Sequence, residues 1–165
     1  MAWPANRVEG LEGTSAVLDR LAGFSIPAAG WEAEILPARV AAYTPDLLDG
    51  LTVSGRYTWL RLHPGQESKT SVRTTPIAIL RRETAALWRA DGPKETRLSS
   101  RAARLLGLLQ ARGARFFFDL VGDSGLLRTE VATALGELVA AGRVTADGFT
   151  GLRALIAPVA RAFQD

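Results

Sequence analysis

The residue types that most often do chemistry are sparse in this chain. There is no cysteine, which excludes thiol catalysis, a disulfide framework and a cysteine zinc site. His63 is the single histidine, so multi-histidine metal sites are excluded too. A triad built on His63 would need a nucleophile and an orienting acid, and no G-x-S-x-G elbow supplies the first. Glu32 and Glu34 stand two apart and cannot share a helix face; Asp46 and Asp49 stand three apart and can. Solvated helix-surface acids account for that second pair better than a loose metal site. Neither Lys69 nor Lys94 follows the glycine loop G-x-x-x-x-G-K-[ST] that cradles nucleotide phosphates, and no DExH box occurs. We expect no catalytic residue, no metal and no cofactor.

Arginine is the one functional side chain in abundance. Of 20 basic residues 18 are arginine, and residues 56–115 hold 13 of the 20 against 4 of the 17 acids. That stretch carries +9 and the remainder −6. Arginine pairs bidentately with phosphate, so the central stretch admits a nucleic-acid partner. A biased genomic base composition produces the same arginine usage. The candidate phosphate contacts are Arg56, Lys69 and Arg73 on a predicted wing, Arg81 and Arg82 at its exit, Arg101 and Arg104 on one side of a later helix, and Arg128. Such contacts would hold a backbone without reading bases. Of the aromatic residues, Trp31 and Trp59 belong to patterns that bury them. Trp88 and Phe118 are the candidates for an exposed or interface role.

The elements that must position these residues can be read from spacing. Gly10–Gly23 predicts a helix, with Val17, Leu18 and Leu21 on one face and Thr14 or Ser15 as its cap. Trp31–Leu36 predicts a second helix, stopped by Pro37. Thr44-Pro45-Asp46 starts a third, which Ser54-Gly55 ends. Tyr57–Leu62 and Ile77–Leu80 predict two strands, with Pro64-Gly65 as a turn signal between them. Three helices followed by a hairpin outline a winged helix. The order then recurs. Ser99 caps a helix that Gly113 ends, Phe116–Val121 is a second, and Leu127, Val131, Leu135 and Leu138 stripe a third. Arg143–Thr145 and Leu152–Ile156 are expected as a second hairpin around Asp147-Gly148.

A chain of 165 residues with 47% hydrophobic side chains can bury one domain or two small ones. The expected fold is mainly α with small β wings, as two tandem winged-helix units. The expected limits are an extension over 1–10, a unit over 11–82, a linker over 83–97, a unit over 98–157 and a tail over 158–165. No apolar run approaches the roughly 20 residues of a membrane span, and the first residues hold no hydrophobic signal core, so a cytoplasmic protein is expected.

Two segments carry a family resemblance. One is Trp31-Glu32-Ala33-Glu34-Ile35-Leu36-Pro37-Ala38-Arg39-Val40, continued by Tyr43, Leu48-Asp49-Gly50-Leu51 and Trp59. The other runs from Arg112-Gly113-Ala114-Arg115-Phe116-Phe117 through Leu135-Gly136-Glu137-Leu138-Val139 and Gly142-Arg143-Val144-Thr145 to Leu152-Arg153. Together they resemble the C-terminal region of Lhr-type DNA helicases over roughly residues 10–157. The resemblance implies a piece of a tandem winged-helix array from an ATP-dependent, nucleoid-associated repair helicase, with DNA and the remaining helicase domains as partners. It implies no ATPase in this chain. The plan is similar to that of AlkZ-type glycosylases, but Gln66, Gln110 and Gln164 do not form that family's glutamine motif.

In helix-turn-helix modules the third helix enters the major groove. With Val131 at the centre of the buried stripe, Thr129, Thr133, Gly136 and Ala140 are expected on the outer face, flanked by Glu130 and Glu137. The first unit's third helix presents Asp46 and Asp49. Carboxylates oppose phosphate, so both helices are poor groove readers. A backbone-contacting DNA module is the leading expectation. A protein-interaction scaffold is the alternative, and a free-standing transcription regulator the third reading.

Overall fold

The computed structural model describes residues 7–64, 71–88 and 96–157. It opens with a two-residue strand, β1 (Val8–Glu9), and a helix, α1 (Gly10–Arg20). Thr14 and Ser15 do not cap α1. Glu9 holds the cap position, while Thr14 lies one turn inside and donates its hydroxyl to the Gly10 carbonyl at 2.8 Å. A strand, β2 (Ile26–Pro27), leads into a short helical turn, α2 (Ala28–Gly30), and an under-wound π turn over Trp31–Ile35. Next come β3 (Val40–Ala41), α3 (Pro45–Val53), β4 (Tyr57–Leu60) and β5 (Pro76–Arg81). β1 pairs in parallel with β3, while β2, β5 and β4 form an antiparallel sheet in that order. Helix, strand, helix, helix and two further strands make a winged helix.

The starts and stops of this unit obey local rules. Thr44 is extended before Pro45, which occupies the first turn of α3, where its missing N–H is no loss. Gly55 leaves the helix at φ +79, a conformation open to glycine. β4 is shorter than the expected strand over 57–62, and all four of its residues are buried. Their alternation therefore does not separate a wet face from a dry one. The reason is that Tyr57 and Trp59 join the main core while Leu60, on the other face, packs with Ala85 and Ala22.

After β5 a 3-10 turn spans Arg82–Trp88, and all but its first residue falls in the stretch expected to be linker. Helix α4 (Ser100–Arg112) follows, capped as expected: the Ser99 hydroxyl accepts the Ala102 N–H at 3.2 Å. Helices α5 (Phe117–Ser124) and α6 (Arg128–Ala140) complete a three-helix cluster around Ala102, Leu105, Leu120, Val131, Ala134 and Leu138.

The expected second hairpin is absent among the described residues. Residues 143–146 are irregular, and Phe149–Ile156 form helix α7 instead of a returning strand. Phe149, Leu152, Leu155 and Ile156 recur at helical spacing, and all four join the core of the winged unit. Phe149 and Leu152 are fully buried there, each worth about 1.5–3 kcal/mol in area removed from water.

The outer face assigned to α6 is corrected in its second half, while Thr129 and Thr133 are exposed as expected. Gly136 and Ala140 are buried, with Ala132 and Val139 beside them. A Cβ on Gly136 would lie 2.9 Å from Val72 Cγ2, so the glycine lets α6 approach the 3-10 turn over Val72–Thr74 closely. Arg61 closes the same seam. Its Nε donates to the Ala140 carbonyl at 3.1 Å and its Nη1 to the Pro76 carbonyl at 2.9 Å.

Candidate nucleic-acid interface

Four of the eight nominated cations stand within 4 Å of a carboxylate among the described residues. Arg56 forks onto Glu12, with Nη1 2.8 Å from Oε1 and Nη2 3.2 Å from Oε2, and it also reaches Ser15 Oγ. Arg81 forks onto Asp19 at 2.8 and 2.6 Å and stands 5.6 Å from the centre of the Tyr57 ring, whose hydroxyl donates to the same carboxylate. The two arginines thus meet on one face of α1. Each holds its carboxyl below the usual range, Glu12 through Arg56 and Asp19 through Arg81.

The other candidates scatter. Arg73 Nη1 donates to the Ile156 carbonyl at 3.3 Å, across the end of α7. Arg82 is exposed and only 3.9 Å from Asp147. Arg101 pairs with Glu130 at 2.8 Å. The Arg128 guanidinium lies 5.1 Å from the centre of the Phe118 ring. Arg104 is exposed, and it has no ion-pair or hydrogen-bond partner among the described residues. Lys69 lies outside the described residues. Arg20 and Arg97, not singled out from the sequence, are also exposed and unpartnered among the described residues.

Each third helix has carboxylates tied to other parts of the chain. The Arg153 guanidinium bridges Asp49 of α3 (3.0 and 3.1 Å) and Glu32 of the π turn (2.7 and 2.9 Å). Glu32 also accepts the Tyr43 hydroxyl at 2.8 Å. Beside this clasp is a cleft of about 290 Å³ between Ala28, Ala33, Arg73 and Ile156. The Arg153 charge there is already met by two carboxylates. On α6, Glu130 takes Arg101, and Glu137 accepts the Ser99 N–H at 2.6 Å and the Ser99 hydroxyl at 2.7 Å.

Trp31 and Trp59 are core residues, as expected. Trp31 Nε1 donates to the Ile77 carbonyl and Trp59 Nε1 to the Gly148 carbonyl, both at 3.2 Å. Trp88 is 41% exposed, its ring laid over Gly23. Among the described residues no group of three or more histidines, cysteines or acids could hold a metal ion. None of their helices is long and apolar enough to cross a membrane.

Residues 2–82, the stretch that contains α1 through β5, match the family model described as large helicase-related protein, winged-helix domain. The chain belongs to the Lhr-type winged-helix family. The likeness runs past residue 82. The Lhr helicase/uracil glycosylase of Escherichia coli (strain K12) is 34% identical over 157 residues, covering 89% of this chain. The Lhr helicase/probable uracil glycosylase of Mycolicibacterium smegmatis (strain ATCC 700084 / mc(2)155) is 32% identical over 149 residues, again covering 89%. The chain spans about a tenth of the length of these curated relatives. In this Lhr-type unit the residue that pattern reading missed is Arg153, which ties α7 to α3 and the π turn. Its one visible signal was the Leu152-Arg153 pair within the family resemblance.

Proposed function

We propose that this chain is a non-catalytic scaffolding module of an Lhr-type helicase that touches DNA through phosphates and does not read bases. The reading is carried by one observation: the helices that would enter a groove are both engaged within the chain, α3 by Arg153 and α6 by Val72, Arg61, Arg101 and Ser99. Their carboxylates would repel a phosphate that came close. Exposed cations on and near α4, Arg97 and Arg104, with Arg82 near the wing, are available to a backbone. A motor elsewhere in the parent helicase would spend ATP, and the repair role and nucleoid association follow from that parentage.

The second reading, a pure interaction scaffold for other helicase domains, is favoured by the ion pairs that already satisfy Arg56 and Arg81. Fluorescence anisotropy on a mixed-sequence duplex separates the two. Backbone contact predicts weak binding whose log affinity falls with log salt, at about 0.9 per phosphate engaged, with little dependence on sequence. Arg104→Glu should lower both affinity and slope. Absence of duplex binding at low salt leaves the interaction scaffold standing alone.

A further inference from the structure

The end of α1 and the end of the 3-10 turn meet in a patch that the core does not use. α1 finishes at Arg20, and Gly23 takes the chain onward at φ +83. Trp88, the last residue of the turn, rests on that glycine, and its atoms nearest the glycine are Cζ3, Cη2 and Cε3, the rim of the six-membered ring. Trp88 is 41% exposed, and among the described residues no ring stacks on it and no guanidinium lies over it. Phe118, the other ring singled out from the sequence, has the Arg128 guanidinium 5.1 Å from its centre. Phe24, the residue after Gly23, is 62% exposed, and Leu87 is 85% exposed. Arg20, three residues before Gly23, is exposed and has no ion-pair or hydrogen-bond partner among the described residues. Asp19 beside it is forked by Arg81, and Glu83 stands at the opposite end of the turn from Trp88.

We propose that Trp88 and Phe24 form a stacking site for unpaired bases of a nucleic-acid strand, with Arg20 meeting an adjoining phosphate. Tryptophan offers a base a large, rigid π surface, and a ring anchored at its rim is positioned without another group stacked on it. Arg20 decides between this occupant and an apolar protein surface. Covering it with a protein face would cost the solvation of a charge that nothing in the described chain pairs, whereas a phosphate supplies the missing partner. A duplex keeps its bases stacked on each other, so it would gain nothing from the rings. The inference rests on the proposed DNA-contacting role and adds to it a strand state and a site other than the cations of α4.

Titration of the full chain with oligothymidylate tests it through tryptophan emission, because Trp31 and Trp59 are buried and Trp88 is open. Stacking on Trp88 should quench the emission, and Trp88→Phe should remove most of that quench. In anisotropy titrations Trp88→Ala should weaken single-strand binding roughly tenfold and leave binding of an equally long duplex within about twofold, and Trp88→Phe should recover most of the loss. Arg20→Gln, at an exposed position, should reduce the salt slope of single-strand binding by about 0.7. The unaltered chain decides the matter even where Trp88→Ala unfolds. Oligothymidylate that binds without quenching overturns the stacking site alone and leaves the patch to a protein partner, and quenching that survives Trp88→Phe does the same. Absence of binding to either strand form at low salt overturns the DNA-contacting role as well.

Discussion

Arg153 reaches Glu32 across 121 positions of sequence, Nε 2.7 Å from Oε2 and Nη2 2.9 Å from Oε1. The same guanidinium holds Asp49, so one side chain near the end of the described fold clasps two elements of the winged unit near its start. The family-matched stretch ends at residue 82. Its core does not end there. Phe149 and Leu152 fill the space beside Trp59, Leu48 and Leu51, Thr145 donates its hydroxyl to the Trp59 carbonyl at 2.6 Å, and the Phe149 N–H donates to Thr52 Oγ1 at 3.3 Å.

A chain cut after Trp88 should therefore fail to fold as a cooperative unit. Loss of Phe149 and Leu152 alone removes burial worth about 3–6 kcal/mol, comparable with the whole stability of a small domain. Calorimetry of residues 1–88 should show no sharp transition, and the fragment should bind a hydrophobic dye. A fragment that melts as sharply and as high as the full chain would show that α7 is dispensable.

Arg153→Met keeps an apolar stem and removes the fork. It strands Glu32 and Asp49, both less than a third exposed, next to each other with only Tyr43 as a donor. The expected cost is about 1–3 kcal/mol, read as a fall of several degrees in Tm. Adding Asp49→Asn should recover part of the loss, because the second substitution removes a charge that the first left unpaired. Strict additivity of the two would mean that the clasp is not a coupled network.

Gly23→Ala places two demands on the structure at once. The residue has φ +83, where a side chain is strained by about 1 kcal/mol. Its Cβ would lie 2.2 Å from Trp88 Cζ3, so the ring must leave its seat. The substitution should lower Tm and shift tryptophan emission, and the shift should vanish in a Trp88→Phe background. Unaltered emission would show that the ring does not rest on Gly23.

These sites differ in how far the sequence exposed them. The winged unit was legible because its signals are local. Thr44-Pro45 starts α3, Ser54-Gly55 ends it, and Ile77–Leu80 is an apolar run with a turn before it. α7 was misread because Leu152–Ile156 is short enough to fit a strand, although Phe149 set a helical period. The covered face of α6 was hidden for a different reason. Gly136 and Ala140 carry no hydrophobic signal, and their smallness is what allows the close approach to Val72. The arginines were found by composition, but their partners lie 44 positions away for Arg56 and 62 for Arg81. No spacing rule reaches that far, so charge counting alone overstated how many are open to phosphate.

The chain's two tyrosines make the alkaline limb of its stability a direct readout of the polar network. Burial, first, and then the hydrogen bond to Glu32 push the Tyr43 hydroxyl well above the ordinary tyrosine range. Burial likewise raises Tyr57, which also donates to Asp19. In the unfolded chain both would lose their protons near pH 10. Below that pH both states keep the protons and the tyrosines do not make stability vary with pH. Above it the unfolded state binds fewer protons than the folded one, so stability falls as pH rises. Ultraviolet titration of the folded chain should show phenolate appearing only above the ordinary tyrosine range, with Tyr43 the last to ionise. Tyr43→Phe should lose the hydrogen bond to Glu32, costing about 1 kcal/mol near neutrality, and should flatten the alkaline slope. Ionisation of both tyrosines near pH 10 in a chain that remains folded would contradict this account.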